Sequence, residues 1–449
     1  MRRLVILALL FGGIQLVLIA GPAEGSGEAL LAFGFLILAA YSVGELMKQL
    51  NLPKLVGYLA AGAVFGPSAL AAVPAEAVGA LAPVSDLAIA LIAFLAGAEL
   101  DWGELRRRGV ALLKVTSTEL AVTFSVIVGA LLAMRDFVPF LEGTNTLTTL
   151  TFAGLFASIA IVHSPAVTMA LLTETGAKGP LARTTLGVVL LADVVVVLLF
   201  SGALSAARAL VPSGGQGVGS FLGTVWEIGG AIPIGMMLGG AVALYLRFVR
   251  GELFLFALLV TFFGLEISRL AHVETLLTLL VAGFVAETTA PGSSGRALRH
   301  AMERSAAPVF VVFFALAGAK LALAELVALW PVVIPIVLAR GFGIWIGTRL
   351  GGRVARLPRG ETDAVWMGLV SQAGVAIGLV TVAEQAYPAV GGDMRTILLS
   401  VIAVNETVGA ILFRRALSKR GEINTTGRHA NLAVNEDAPL PAPVPAPPG

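Results

Sequence analysis

The chain has 449 residues, of which 57% are hydrophobic and 13% charged, and its mean hydropathy is +0.92. A soluble domain carries about a quarter charged residues, so this balance excludes a water-soluble globular protein and assigns the chain to a membrane. The lack of cysteine excludes disulfides and thiolate metal sites, and four histidines, one of them His429 in a polar tail, are too few for a histidine-rich one.

A transmembrane helix needs about 20 mostly apolar residues. Thirteen segments qualify in chain order: 28–49, 52–70, 82–101, 109–134, 147–173, 181–208, 221–248, 252–270, 274–289, 304–322, 328–351, 362–386 and 394–416. All are predicted helices, since an open sheet edge goes unsatisfied in lipid. Ahead of them, the apolar run from Leu4 to Ala20 follows Arg2 and Arg3 and precedes the small, polar stretch GPAEGSGE. That pattern favours a signal peptide within residues 1–25, with a fourteenth helix as the alternative.

Orientation follows from the basic residues of the loops. With residue 28 starting outside, the inner loops hold Arg106, Arg107, Arg108, Arg247, Arg250, Arg296, Arg299, Arg304, Arg349, Arg353, Arg356, Arg359, Arg414, Arg415, Lys419 and Arg420. The outer loops hold little beyond Arg135, Arg208, Arg269 and Arg395. A multi-pass protein of the cell inner membrane with a cytoplasmic C-terminus is expected. The stretch 419–449 ends in PLPAPVPAPPG and reads as a disordered tail by composition.

The sequence partly matches itself at a shift of 221. FLAGAELDWGEL from Phe94 aligns with ALAGAKLALAEL from Ala315, LAAGAV from Leu59 with LVAGFV from Leu280, and Glu45 with Glu266. The matched helices are an odd number of spans apart, so the two copies cross in opposite directions. The predicted plan is six-plus-six inverted repeats, 28–208 and 251–418, joined by a connector at 209–250. Transporters of that design place their site near the midplane, where interrupted helices meet.

Two interruptions are predicted. HSPAV, from His163 to Val167, puts Pro165 in mid-helix, where it removes an N–H and disrupts the preceding turn. At a shift of 208 it overlies SQAGV, with Ser371, Gln372 and Gly374. Such breaks are tolerated in lipid where they are buried or line a cavity, although a packing kink is the plainer alternative for each.

The next helix carries Asp193 within LGVVLLADVVVVLLF, and a lone carboxylate at that depth is costly and functional by default. Desolvation favours its protonated form and a nearby cation its ionised form, so proton and metal ion compete for one group. That competition is the chemistry of antiport; a buried ion pair is the structural alternative. Arg340, central in 328–351, is the expected fixed counter-charge, with Glu119 as its mate or as part of a purely structural pair. Asn405 and Glu406 overlie Ala192 and Asp193 at a shift of 213 and are expected to face the same centre or to anchor packing. His163 is a proton-sensitive group or a histidine satisfied by backbone carbonyls. Lys320 and Asp86 are expected to snorkel at helix ends.

NLPKLVGYLAAGAVFGPSAL, LAIALIAFLAGAELD, the Asp193 helix and GLVSQAGVAIGL together resemble the cation–proton antiporter superfamily, in its Kef/Nap-type branch, over nearly all of 28–420. The resemblance implies a homodimer of thirteen-helix protomers. It implies two crossing broken helices in a core that moves like an elevator, and exchange of Na⁺ or K⁺ for H⁺. It carries the ion-binding aspartate to Asp193, the polar residues of the breaks to Ser164 and Gln372, and the basic residue to Arg340. In the family the aspartate usually follows Asp, Asn or Gln, and here it follows Ala192, which by resemblance suggests electroneutral exchange. No regulatory nucleotide-binding domain is expected in this chain, nor a cofactor, a resident metal or a nucleic-acid partner, and membrane lipid is the expected surround. The competing readings are a transport-inactive sensor or assembly subunit on the same fold and a sodium-coupled solute symporter, which needs substrate-sized space between the breaks. No HExxH zinc motif or nucleophile elbow suggests an enzyme.

Overall fold

The computed structural model describes residues 26–100, 102–211, 221–248, 253–290, 294–372 and 375–423. The N-terminal segment, most of the tail and Gly374 lie outside the described residues. Apart from a short 3₁₀ turn at 135–137, the elements are α1 (Ser26–Gln49), α2 (Lys54–Phe65), α3 (Ala75–Ala80), α4 (Ala82–Ala98), α5 (Trp102–Ala133), α6 (Thr146–Ala160), α7 (Pro165–Thr175), α8 (Pro180–Leu210), α9 (Phe221–Phe248), α10 (Leu253–Ala271), α11 (Thr275–Thr289), α12 (Ser294–Ala319), α13 (Leu323–Ala328), α14 (Trp330–Val354), α15 (Arg359–Thr362), α16 (Val365–Leu369), α17 (Val375–Ala386) and α18 (Pro388–Lys419). Counting α6 with α7 as one span, eight are long and apolar enough to cross a membrane, and nine with the bent α12. Shorter apolar helices, α2, α4, α11 and α17, lie among them.

The helix bounds depart from the apolar runs where charge and backbone chemistry intervene. α5 starts at Trp102 and α12 at Ser294, each running through basic residues that an apolar count stops at. Long basic side chains let a helix continue past the hydrocarbon edge. α2 stops at Phe65, where Gly66 is fully extended.

Packing sorts the helices into two groups. In the core, α14 lies along α5, α8 packs on α5 and α6, and α18 on α14, α16 and α17. In the scaffold, α11 sits against α4 and α9, α2 against α1 and α12, and α10 against α4. α7 lies where the groups meet, touching α4 and α12 on one side and α8 and α18 on the other.

Small residues allow the scaffold's close approaches, as they do between membrane helices generally. A Cβ added at Gly97 would lie 1.9 Å from the Leu280 carbonyl oxygen, and one at Gly283 would lie 2.0 Å from that of Phe94. The same happens between α2 and α12, at 2.1 Å for Gly62 on Ala315 and 2.2 Å for Gly318 on Leu59. Under the shift of 221 each of these helix pairs maps onto the other.

Candidate functional site

The two helix breaks cross around one guanidinium. α6 ends at Ala160 and the chain restarts at Pro165, which occupies the first helical position of α7, where its missing N–H is harmless. Ser164 caps that helix, its Oγ accepting the Val167 N–H at 3.2 Å. α16 ends at Leu369 and α17 begins at Val375.

Arg340 of α14 is fully buried between the breaks. Its Nε donates to the Ala160 carbonyl at 2.7 Å, and Nη2 to those of Val162 at 2.7 Å and Leu369 at 3.3 Å. Nη1 donates to the Val370 carbonyl. These carbonyls are the negative ends of two half-helices, so one planar cation satisfies both. Gln372 reinforces the crossing, its amide donating to Ala160 at 3.2 Å while its Oε1 accepts Asn405 Nδ2 at 3.2 Å.

Glu119 is buried and bonds elsewhere. It accepts Thr123 Oγ1 at 2.8 Å and lies 3.0 Å from His163 Nε2, while His163 Nδ1 donates to the Leu369 carbonyl at 2.8 Å. Arg340 is thus a clamp on backbone oxygens and shares no hydrogen bond with Glu119 or Asp193 among those described. His163 meets both a backbone carbonyl and a carboxylate.

Asp193 faces an enclosed cavity of about 40 Å³. Its Oδ1 is buried and accepts no hydrogen bond from the described residues. Ser164, Pro165 and Ala166 from the start of α7 and Val375 from the start of α17 border the same cavity, with Ile92, Ala93 and Ala96 of α4 and Leu277 and Leu280 of α11. Two helix N-termini, each carrying partial positive charge, therefore flank the carboxylate. Roughly 10–15 Å³ of such space is enough for a water, so the cavity admits water or a dehydrated monovalent cation. The structure brings Asp193, Ser164 and Pro165 together. Gln372, Ser371 and Asn405 do not line the cavity, and Glu406, 2% exposed with an unpartnered Oε1, borders the vestibule beyond it.

The charged lining residue that the sequence did not single out is Glu274, the cap of α11. As the first residue of an apolar run it reads as a helix end in the headgroups. α11 has only 15 residues, about 22 Å, against a hydrocarbon core of about 30 Å. A helix so short leaves at least one end inside the hydrocarbon core, and that shortness is the signal the sequence carries.

The Asp193 cavity shares Ile89, Val197, Glu274, Leu276 and Val375 with a vestibule of about 660 Å³. That vestibule gathers Ser85 and Asp86, Glu227, Arg269 and Lys320 at one end of the bundle, and Asp86 pairs with Arg269 at 2.6 Å. At the opposite, arginine-rich end a second cavity of about 790 Å³, with Glu99, Lys178 and Glu303, shares no lining residue with the Asp193 cavity. Scaffold and core are tied together at that end. Glu174 of α7 accepts the Lys54 backbone N–H at 3.0 Å and Arg414 Nη1 at 3.2 Å; Arg414 also donates to the Leu52 carbonyl at 2.6 Å, and Lys54 pairs with Glu45.

A model of the family described as "Sodium/hydrogen exchanger, transmembrane" matches residues 34–419. The chain belongs to the sodium/hydrogen exchanger family. It is a secondary transporter and not an enzyme, as the sequence suggested. A curated relative, "Probable Na(+)/H(+) antiporter 3" of Methanocaldococcus jannaschii, is 27% identical over 191 residues, which cover 42% of this chain and 44% of that relative. The match therefore spans less than half of the relative's length. Two structures of the sodium proton antiporter MjNhaP1 from the same organism share the fold. One, at pH 8, superposes with a TM-score of 0.65 at 15% identity, over 88% of this chain and 96% of that one. The other, from an electron-microscopy map, gives 0.69 at 14% identity over 93% and 100%.

Proposed function

We propose that the chain exchanges Na⁺ for H⁺ across the inner membrane, with Asp193 holding one or the other. The carrying observation is the buried Asp193 oxygen, without a hydrogen-bond partner among the described residues, in a small cavity between two helix starts. A solute symporter would need a site of roughly 300–1,000 Å³, which the vestibule of about 660 Å³ offers but the space of about 40 Å³ beside the breaks does not. The nine spans and four shorter apolar helices support a thirteen-helix topology, and the glycine contacts that interchange under the shift of 221 support inverted repeats.

The arginine-rich end is cytoplasmic by the positive-inside rule, so the vestibule joined to Asp193 opens outward. The core then alternates against the scaffold, and the Glu174–Arg414 contacts hold the cytoplasmic side shut. Partly exposed ion pairs contribute about 0.5–1 kcal/mol each. Glu174→Gln is therefore expected to shift the population two- to fivefold toward the inward-open state. A cysteine introduced at Leu323, which borders the outer vestibule in a chain without cysteine, should react correspondingly more slowly with an impermeant maleimide; unchanged labelling would show that the contacts hold nothing closed.

A single travelling carboxylate whose charge is met once by H⁺ and once by Na⁺ makes the cycle electroneutral. The test is pH-dye dequenching in proteoliposomes with Na⁺, Li⁺ or K⁺, with and without an imposed potential of about 100 mV. Na⁺ is expected to drive the largest signal, since the chain belongs to the sodium/hydrogen exchanger family. One uncompensated charge would contribute about 2.3 kcal/mol per 100 mV, so a potential-dependent endpoint would exclude one-for-one exchange. Dye signals independent of any cation would instead support the transport-inactive reading.

A further inference from the structure

Among the described residues, two carboxylates border the Asp193 cavity and no lysine or arginine lines it. The second, Glu274, also borders the outer vestibule, and among the described residues it is the one charged residue that lines both spaces. It is held firmly: its backbone N–H donates to the Glu227 carbonyl at 2.9 Å, and its carboxylate accepts the Leu277 N–H. Arg269, a basic group of the vestibule, is engaged by Asp86 at 2.6 Å and Glu266 at 2.9 Å. Glu274 belongs to α11 of the scaffold, whereas Asp193 belongs to α8 of the core.

We propose that Glu274 is the scaffold's half of the outward-facing cation site, receiving Na⁺ from the vestibule and sharing it with Asp193. The inference rests on Asp193 being the carrier. When the core moves, Glu274 stays with α11 and the ion travels on Asp193 alone. Glu274 thus tunes affinity on one side of the membrane only and adds no charge to the transported complex. A helix cap with no further role would act on both sides or on neither.

Asparagine caps helices well and carries no charge, so Glu274→Asn separates the two roles. In right-side-out vesicles its external KM for Na⁺ should rise about tenfold, and in everted vesicles its cytoplasmic KM should stay within twofold of wild type. Glu274→Asp, which keeps charge and cap, should remain within about threefold on both sides. Equal KM changes on the two faces, or none on either, would overturn the proposal. Should the Asn variant not accumulate, Glu274→Gln carries the same expectations. If Asp193→Asn retained exchange, the carrier reading itself would fall; an inactive Asp193→Asn beside a silent Glu274→Asn would sink only the role of Glu274 as the scaffold's cation ligand.

Discussion

Asp193→Asn is expected to lower Na⁺-driven H⁺ exchange by about a thousandfold, to the level of empty liposomes, while leaving the protein folded. Asparagine keeps the shape but neither ionises nor takes up a proton, so neither half-cycle has a ligand to carry. The stability side of this prediction comes from the surroundings of Asp193. Removing one member of a buried ion pair strands a charge and costs roughly 3–5 kcal/mol. Here no basic residue among those described lines the cavity and the guanidinium of Arg340 is committed to carbonyls, so no charge is stranded. A carboxylate oxygen with no hydrogen bond from the described residues is exchanged for a neutral amide, and the melting temperature should hold or rise by a few degrees. Proteoliposome flux and thermal unfolding of the same preparation check both halves. Flux above about a tenth of wild type would take Asp193 out of the mechanism, and a sharp loss of stability would show that it serves as a structural anchor.

The features that sequence revealed are those written in single residues against an apolar background. Asp193 stands alone in its helix, Pro165 cannot continue a helix, and SQAGV overlies HSPAV, so the carboxylate and both breaks were visible. What the sequence left open depends on contacts between distant helices. Arg340 reads as a counter-charge because its nearest carbonyls, at Ala160, Val162, Leu369 and Val370, come from segments far along the chain. Gln372 reads as an ion ligand because its family position says so, yet its amide is spent between Ala160 and Asn405. Glu274 is hidden in the sequence because its helix is apolar throughout, and apolarity alone does not reveal that 15 residues fall short of a hydrocarbon core of about 30 Å. Electroneutral exchange, expected from Ala192, remains a proposal that the imposed-potential assay decides.

Arg340→Ala is expected to destabilise the protein by about 3–5 kcal/mol and to abolish transport with it. Each buried carbonyl left without a donor costs about 1–3 kcal/mol; those of Val162 and Val370 lose theirs, while Gln372 still reaches Ala160 and His163 still reaches Leu369. Part of the loss is offset because the desolvation of a fully buried guanidinium is also removed. At about 2 °C per kcal/mol for a chain of this size, the melting temperature should fall by roughly 6–10 °C. Arg340→Lys should lie between, since an ammonium offers three donors from one point and cannot span two helix ends. The double variant with Asp193→Asn decides what Arg340 is for. If Arg340 served chiefly as the counter-charge of Asp193, neutralising both would restore much of the lost stability. As a clamp on backbone oxygens it shares no interaction with Asp193, and the two effects should add to within about 0.5 kcal/mol. Recovery of several degrees in the double variant would return Arg340 to the ion site.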